Sequence, residues 1–143
     1  ERAAFTLSDE DRQTALIREK AAAFLQFMLP GSPCIYYGDE AGEEGFEDPF
    51  NRRFFPWGRE ERSLTEFYKK LASLKNTNEA LRFGVAKVSS PEDGTVVIRR
   101  LANGKSLCAA LSLKGGFTVS GKIIFSNAKG GALPENGFAL YEE

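Results

Sequence analysis

The chain has 143 residues, of which 42% are hydrophobic and 27% charged, and a formal net charge of −1. That length holds one ordinary domain or two small ones with a modest core, and the near-neutral balance gives no electrostatic footprint for nucleic acid or an anionic membrane. The absence of histidine excludes Ser-His-Asp and Cys-His nucleophile systems and histidine-ligated metal sites within this sequence. Cys34 and Cys108 form no C-x-x-C pair, and both are expected as buried free thiols in apolar strands. No apolar run approaches the roughly 20 residues of a membrane span. The N-terminus is charged from Glu1, has no initiator Met and reads as the start of a fragment or a processed piece.

The first element is a helix over 9–28. Ser8 and Asp11 have capping-box spacing, and Ile17, Ala21, Phe24 and Met28 recur at helical intervals. Pro30-Gly31 stops it. Residues 33–37, "PCIYY", form a short apolar run bounded by turn signals, which predicts a strand buried on both faces. A long loop over 38–62 follows. Loops beyond roughly 12–15 residues are usually functional or disordered. This one carries Phe46, Phe50, Phe54, Phe55 and Trp57, and disordered segments rarely hold so many aromatics. A second helix is expected over 64–75, with Ser63 and Glu66 as its capping box and Leu64, Phe67, Leu71 and Leu74 as its apolar stripe.

The pattern changes near Phe83. Beyond it, Asp93-Gly94, Asn103-Gly104, Gly115-Gly116, Ser120-Gly121, Gly130-Gly131 and Asn136-Gly137 punctuate short strand-like runs. These predict a small antiparallel sandwich or barrel over 83–143. Arg99-Arg100 is expected on a solvated strand face.

"PGSPCIYYGDEAGEEGFEDPFNRRFFPW" resembles the last barrel strand and following loop of glycoside hydrolase family 13, the α-amylase family. The resemblance rests on Pro30, Gly31, Pro33, Ile35, Tyr36, Tyr37, Gly38, Asp39 and Glu40, then Asp48, Pro49, Asn51, Arg52, Arg53, Pro56 and Trp57. The similar members are neopullulanases, cyclomaltodextrinases, maltogenic amylases and oligo-1,6-glucosidases. Ser32 stands where Thr is usual. "YKKLASLKNTNEALRFG" and "LPENGFALYEE" are similar to the end of the family's barrel and the closing strand of its β domain.

This resemblance implies an α+β fragment. Residues 1–82 would be the last α/β units of a TIM (β/α)8 barrel, and residues 83–143 a small antiparallel β-sandwich domain. The family's three catalytic acids would lie upstream. The last of them sits in a motif with a histidine, and the opening "ER" is similar to the residues just after that motif. The chain by itself is then expected to be inactive, contributing to a retaining α-glycosidase that acts on α-glucans or malto-oligosaccharides. Asp48 and Arg52 are the implied substrate-binding residues. A carboxylate accepts hydrogen bonds from adjacent sugar hydroxyls and a guanidinium donates in a fixed fork; an ion pair that orders the loop is the alternative. Glu40, Tyr37 and Trp57 are expected as structural residues near the site. Glu43, Glu44 and Glu47 are expected to be solvated.

No cofactor is expected in this chain, and any calcium site of the parent would use residues outside it. The expected partners are the sugar and the missing N-terminal part of the barrel, with no nucleic acid and no membrane. Exposed barrel edges would invite self-association of the fragment. A cytoplasmic location of bacterial type is expected, with secretion left open. A stand-alone carbohydrate-binding or non-catalytic interaction module is the alternative function; it would need exposed aromatics among Phe117, Phe125, Phe138 and Tyr141.

Overall fold

A computed structural model describes residues 6–143; the opening "ER" lies outside the described residues. Helix α1 spans Asp9–Met28 and α2 spans Arg62–Thr77, followed by a short helix α3 at Glu79–Phe83. Five strands complete the chain: β1 Val85–Ser89, β2 Thr95–Ala102, β3 Lys105–Ser112, β4 Lys122–Ser126 and β5 Gly137–Glu142.

Local chemistry accounts for the helix ends. Ser8 caps α1 by accepting from the Asp11 amide, and Asp9, Glu10 and Asp11 fill the positive first turn. Helix α2 begins two residues earlier than its Ser63 signal suggests. Glu61 is the cap and accepts from the Ser63 amide. Ser63 lies inside the helix and instead receives Lys20 Nζ at 3.1 Å.

The strands form one antiparallel sheet in the order β1-β2-β3-β5-β4. Asn103 and Gly104 have φ of 49° and 74°, and Ala102 pairs directly with Lys105. That is the two-residue hairpin an Asn-Gly pair favours. Alternation across the sheet gives it two apolar faces. Ile98, Leu107, Ala109, Leu111, Phe138 and Leu140 face α1 and α2, where they join Phe24, Phe27, Met28, Leu64 and Leu71. Phe138 stacks on Phe24 at 4.5 Å between ring centroids and meets Phe67 at 5.6 Å. The opposite face buries Cys108, Ala110, Ala139 and Tyr141 beneath Val119 and Leu133. The second layer of the expected sandwich is thus a connecting segment, held by one bridge between Thr118 and Ala132.

Four local expectations are corrected. Residues 33–37 do not form a strand and join no sheet ladder. A parallel strand takes its hydrogen bonds from neighbouring strands, and no strand among the described residues lies alongside this segment. For the same reason Cys34 is exposed, while Cys108 is buried. Ile17, expected in the buried stripe of α1, is 50% exposed, because Leu16, Phe24 and Phe27 turn to the core instead.

Arg100 is the fourth correction. It is 1% exposed. It donates to the carbonyl oxygens of Met28 and Gly84, both at 2.9 Å. Arg99, its neighbour on the other face, is exposed and pairs with Glu143. Lys75, also buried, donates to the Leu29 carbonyl at 2.7 Å. The last carbonyls of a helix have no partner within it, so these two cations finish α1. Replacing Arg100 with Met should lower unfolding stability by about 3 kcal/mol, because two carbonyls lose their donor inside the core. A shift in the urea midpoint checks this; an unchanged midpoint would show that the guanidinium contributes nothing net.

Candidate functional site

The segment from Gly38 to Glu61 is built on three anchors. A single 3₁₀ turn, Asp39–Ala41, leaves residue 37 and is bounded by Gly38 and Gly42 in the left-handed region, with φ of 98° and 69°. A side chain at Gly42 would also meet Glu61 Cβ at 2.9 Å, so glycine is needed on two counts. The Glu61 amide donates to the Ala41 carbonyl, and Thr65 Oγ1 donates to the Glu40 carbonyl at 2.9 Å. These contacts seat the start of the loop on the first turn of α2. Glu44 ties it to α1, accepting from Arg12 Nη1 at 2.9 Å and from the Leu7 amide at 3.2 Å.

Asp48 and Arg52 come together in a two-bond pair. Arg52 Nε donates to Asp48 Oδ1 at 2.6 Å and Nη2 donates to Oδ2 at 2.7 Å. Both side chains remain more than half exposed, at 59% and 65%. Exposed ion pairs contribute about 1 kcal/mol or less to stability. What the pairing supplies is geometry: a carboxylate and a guanidinium fixed edge to edge, with their remaining lone pairs and N–H groups open to solvent.

Tyr37 lies beside this pair, and its phenol is raised by partial desolvation and by Tyr36, while the charge of Arg52 opposes the shift. Tyr36 and Tyr37 have ring centroids 4.9 Å apart and are each about half exposed. With Asp39, Glu43, Asn51 and Arg53 they line a cleft of about 220 Å³. Expected in a strand buried on both faces, the two rings are instead exposed, because no neighbouring strand among the described residues covers them. Glu40 is not in the cleft, and its carboxylate turns back to accept from the Gly38 amide at 3.0 Å. Trp57 is 80% exposed and rests against Phe55 at 4.6 Å.

Sequence reasoning missed the ion pairs that hold the loop. Glu43 and Glu44 are not solvated: Glu43 pairs with Arg53 at 3.3 Å, and Glu44, 10% exposed, pairs with Arg12. Arg53 also lies over the Phe46 ring at 5.5 Å. Asn51 Oδ1 is buried and has no hydrogen-bond donor among the described residues. The partners of Glu44 and Glu43 lie 32 and 10 residues away, so periodicity and spacing carry no trace of the longer link. Among the described residues no group of three or more His, Cys, Asp or Glu side chains is arranged to hold a metal, and no helix is long and apolar enough to cross a membrane.

Helix, loop and sheet together match one kind of known protein. The family model described as "Alpha amylase, catalytic domain" matches residues 1–80. The chain belongs to the alpha-amylase family. It is 46% identical over 99 residues to an amylopullulanase of Thermoanaerobacter thermohydrosulfuricus, covering 68% of this chain and 7% of that protein. It is 38% identical over 97 residues to a cyclomaltodextrinase of Thermoanaerobacter pseudethanolicus, covering 66% of this chain and 17% of that one. The solved maltogenic amylase from S. marinus superposes with a TM-score of 0.75 at 34% identity, over 89% of this chain and 19% of its own. The chain therefore spans less than a fifth of each of these relatives, and its helices and antiparallel sheet correspond to a C-terminal region of the family's architecture.

Behind the cleft, Glu19 of α1 accepts from the Tyr68 hydroxyl of α2 at 3.4 Å. Burial and the charge of Asp39 raise its pKa from 4.5 to about 7, against the opposing effects of Tyr68, Lys20 and Arg12. Burial likewise raises Asp39, with Glu40 adding to the shift and a backbone hydrogen bond from Tyr36 opposing it. A carboxyl raised in the fold binds its proton more tightly there than in the unfolded chain. Its contribution therefore makes stability fall as pH rises from about 4.5 to about 7, and the penalty is complete above that window. Glu19→Gln should raise the melting temperature more at pH 8 than at pH 5; an equal change at both would show that Glu19 titrates normally.

Proposed function

We propose that this chain supplies the sugar-holding end of an α-amylase-family glycoside hydrolase that acts on α-glucans or malto-oligosaccharides by a retaining mechanism. Asp48 and Arg52 form its donor-side sugar contact. The observation that carries this reading is the exposed two-bond pair of Asp48 and Arg52 on an anchored loop, in a chain that belongs to this family. Each group keeps free hydrogen-bonding capacity: Asp48 accepts from neighbouring hydroxyls of a glucose ring, and Arg52 donates to ring hydroxyl oxygens. Prior pairing lowers the ordering cost when the sugar arrives.

The reaction itself needs two carboxyl groups roughly 5 Å apart from different elements, one protonated and one ionised. Asp39, Glu40, Glu43, Glu44, Glu47 and Asp48 share one loop, and Glu43, Glu44 and Asp48 are occupied by arginines. The catalytic acids belong to barrel elements this sequence does not contain. The exposed Tyr36, Tyr37, Phe54 and Trp57 and the unpartnered Asn51 oxygen support a barrel partner that covers this end of the chain. A stand-alone carbohydrate module is less well supported, because Phe138 and Tyr141 are buried and Phe117 and Phe125 pack into the two cores.

A labelled malto-oligosaccharide tests both halves of the proposal. The purified chain should release no label. Spliced into the matching segment of the Thermoanaerobacter pseudethanolicus cyclomaltodextrinase, Asp48→Ala or Arg52→Ala should lower kcat/KM about 10–100-fold, the effect of losing charged hydrogen bonds to substrate. Asp48-dependent turnover by the chain alone would place catalytic acids in the loop. Unchanged kcat/KM in the spliced enzyme would remove this pair from the sugar site.

A further inference from the structure

We propose that Asn103 is a site of spontaneous covalent modification, deamidation to aspartate and isoaspartate, which releases the β2–β3 hairpin from helix α3. This is independent of the sugar site. Asparagine is among the thermolabile residues, and two of them here, Asn103 and Asn136, precede glycine. In such a pair the glycine amide nitrogen, with no side chain to hinder it, attacks the carbonyl carbon of the asparagine side chain. A new C–N bond closes a cyclic imide, the bond to the side-chain nitrogen breaks, and ammonia leaves. Water then opens the imide at either of its carbonyls. Opening at one restores the ordinary backbone and gives aspartate; opening at the other gives isoaspartate, whose backbone runs through the side-chain carbon. One water is consumed, one ammonia is released and a carboxylate replaces an amide, with no change of oxidation state.

The fold separates two positions that are chemically alike. Asn103, Gly104 and Lys105 are exposed at the hairpin tip, and nothing lies within 4 Å of the point where a side chain on Gly104 would begin. Ring closure requires the glycine nitrogen to swing toward the asparagine side chain, and the space for that movement is open here. Gly137 is buried, its amide donates to the Pro134 carbonyl at 2.8 Å, and Pro134 atoms lie 2.5 Å from the corresponding point. The Asn136 carbonyl is also held, by Asn127 Nδ2 at 3.2 Å. The attacking nitrogen is thus fixed at 136–137 and unobstructed at 103–104.

Glu79 gives the change its consequence. Its Oε1 accepts from Asn103 Nδ2 at 2.7 Å, which links the first residue of α3 to a turn 24 residues later. The contact restrains the side chain that must rotate for the ring to close. After deamidation that donor is gone and one carboxylate faces another. Isoaspartate also lengthens the backbone of a two-residue turn whose flanking residues, Ala102 and Lys105, pair directly. The hairpin tip then no longer closes.

Peptide mapping by mass spectrometry, over a time course of the intact 143-residue chain kept warm at pH 8, tests this. The peptide carrying Asn103 should gain the mass of an amide exchanged for an acid, while the peptide carrying Asn136 stays unchanged. In urea, where no fold protects either pair, both should convert. Conversion at both sites of the folded chain, or at Asn136 alone, would overturn the proposal, as would a folded chain that stays intact while the urea sample converts. Protection of Asn136 that persists in urea would remove the fold as its cause. Glu79→Ala should speed conversion at Asn103 about two- to tenfold, the effect of losing one hydrogen bond; an equal or slower rate would remove Glu79 from the account. Asn103→Asp, which mimics one product, should lower the melting temperature, and by less when Glu79→Gln is also present, because the repulsion lies between these two residues. Equal losses in the two backgrounds would show that the new carboxylate does not act on α3.

Discussion

The end of helix α1 is the constraint on which the rest depends. A helix closes with carbonyls that have no partner and a negative pole. Here that end is buried, and water is replaced by Arg100 from β2 on Met28 and Lys75 from α2 on Leu29. Arg100 also takes the carbonyl of Gly84, where the chain enters β1. One helix terminus thus joins both helices to the sheet. Burial lowers the pKa of both cations, Lys75 also through the charge of Arg100, but each meets backbone oxygen, the arrangement that makes a buried cation tolerable.

The clamp also determines where function is possible. Beyond Leu29 the chain must leave the core and run toward Gly38. Gln26 Nε2 holds the Cys34 carbonyl along this path at 2.8 Å. The loop that follows starts from a fixed point. Its tight 3₁₀ turn is pressed against the first turn of α2, and its acidic stretch is drawn back to the first turns of α1 by Arg12. Tyr36 and Tyr37 precede, and Asp48, Arg52 and Trp57 follow, the residues that these contacts hold against the first turns of α1 and α2. Rigid elements behind a polar, aromatic loop are the usual division of labour between scaffold and site.

Charge is distributed unevenly between these two tasks. The exposed pair of Asp48 and Arg52 adds little to stability and keeps its groups available. The covered pairs, Arg12 with Glu44 and Arg53 with Glu43, hold the backbone. Glu19 is a third case. Its desolvation and the charge of Asp39, against the hydrogen bond from Tyr68, raise its pKa to about 7. Each of these behaviours comes from solvent access and neighbours, since a carboxyl group is common to all three.

By itself the sequence determined whatever depends on near neighbours. Ser8 and Asp11 cap α1, Asn103-Gly104 turns the β2–β3 hairpin, and Asp48 lies four residues before Arg52. The spacing of Leu64, Leu71 and Leu74 marked the buried side of α2. The motif from Pro30 to Trp57 was enough to indicate the family. Tertiary structure alone decided which charges are covered and which apolar residues are not. Arg100 is buried because the end of α1 and the chain at Gly84 both close on its guanidinium, and Glu44 because Arg12 lies 32 residues back on a packed helix. Residues 33–37 have the composition of a strand but join no sheet among the described residues, because a strand is completed by its neighbours' hydrogen bonds. Burial and pairing are properties of distant segments brought together, and no local pattern encodes them.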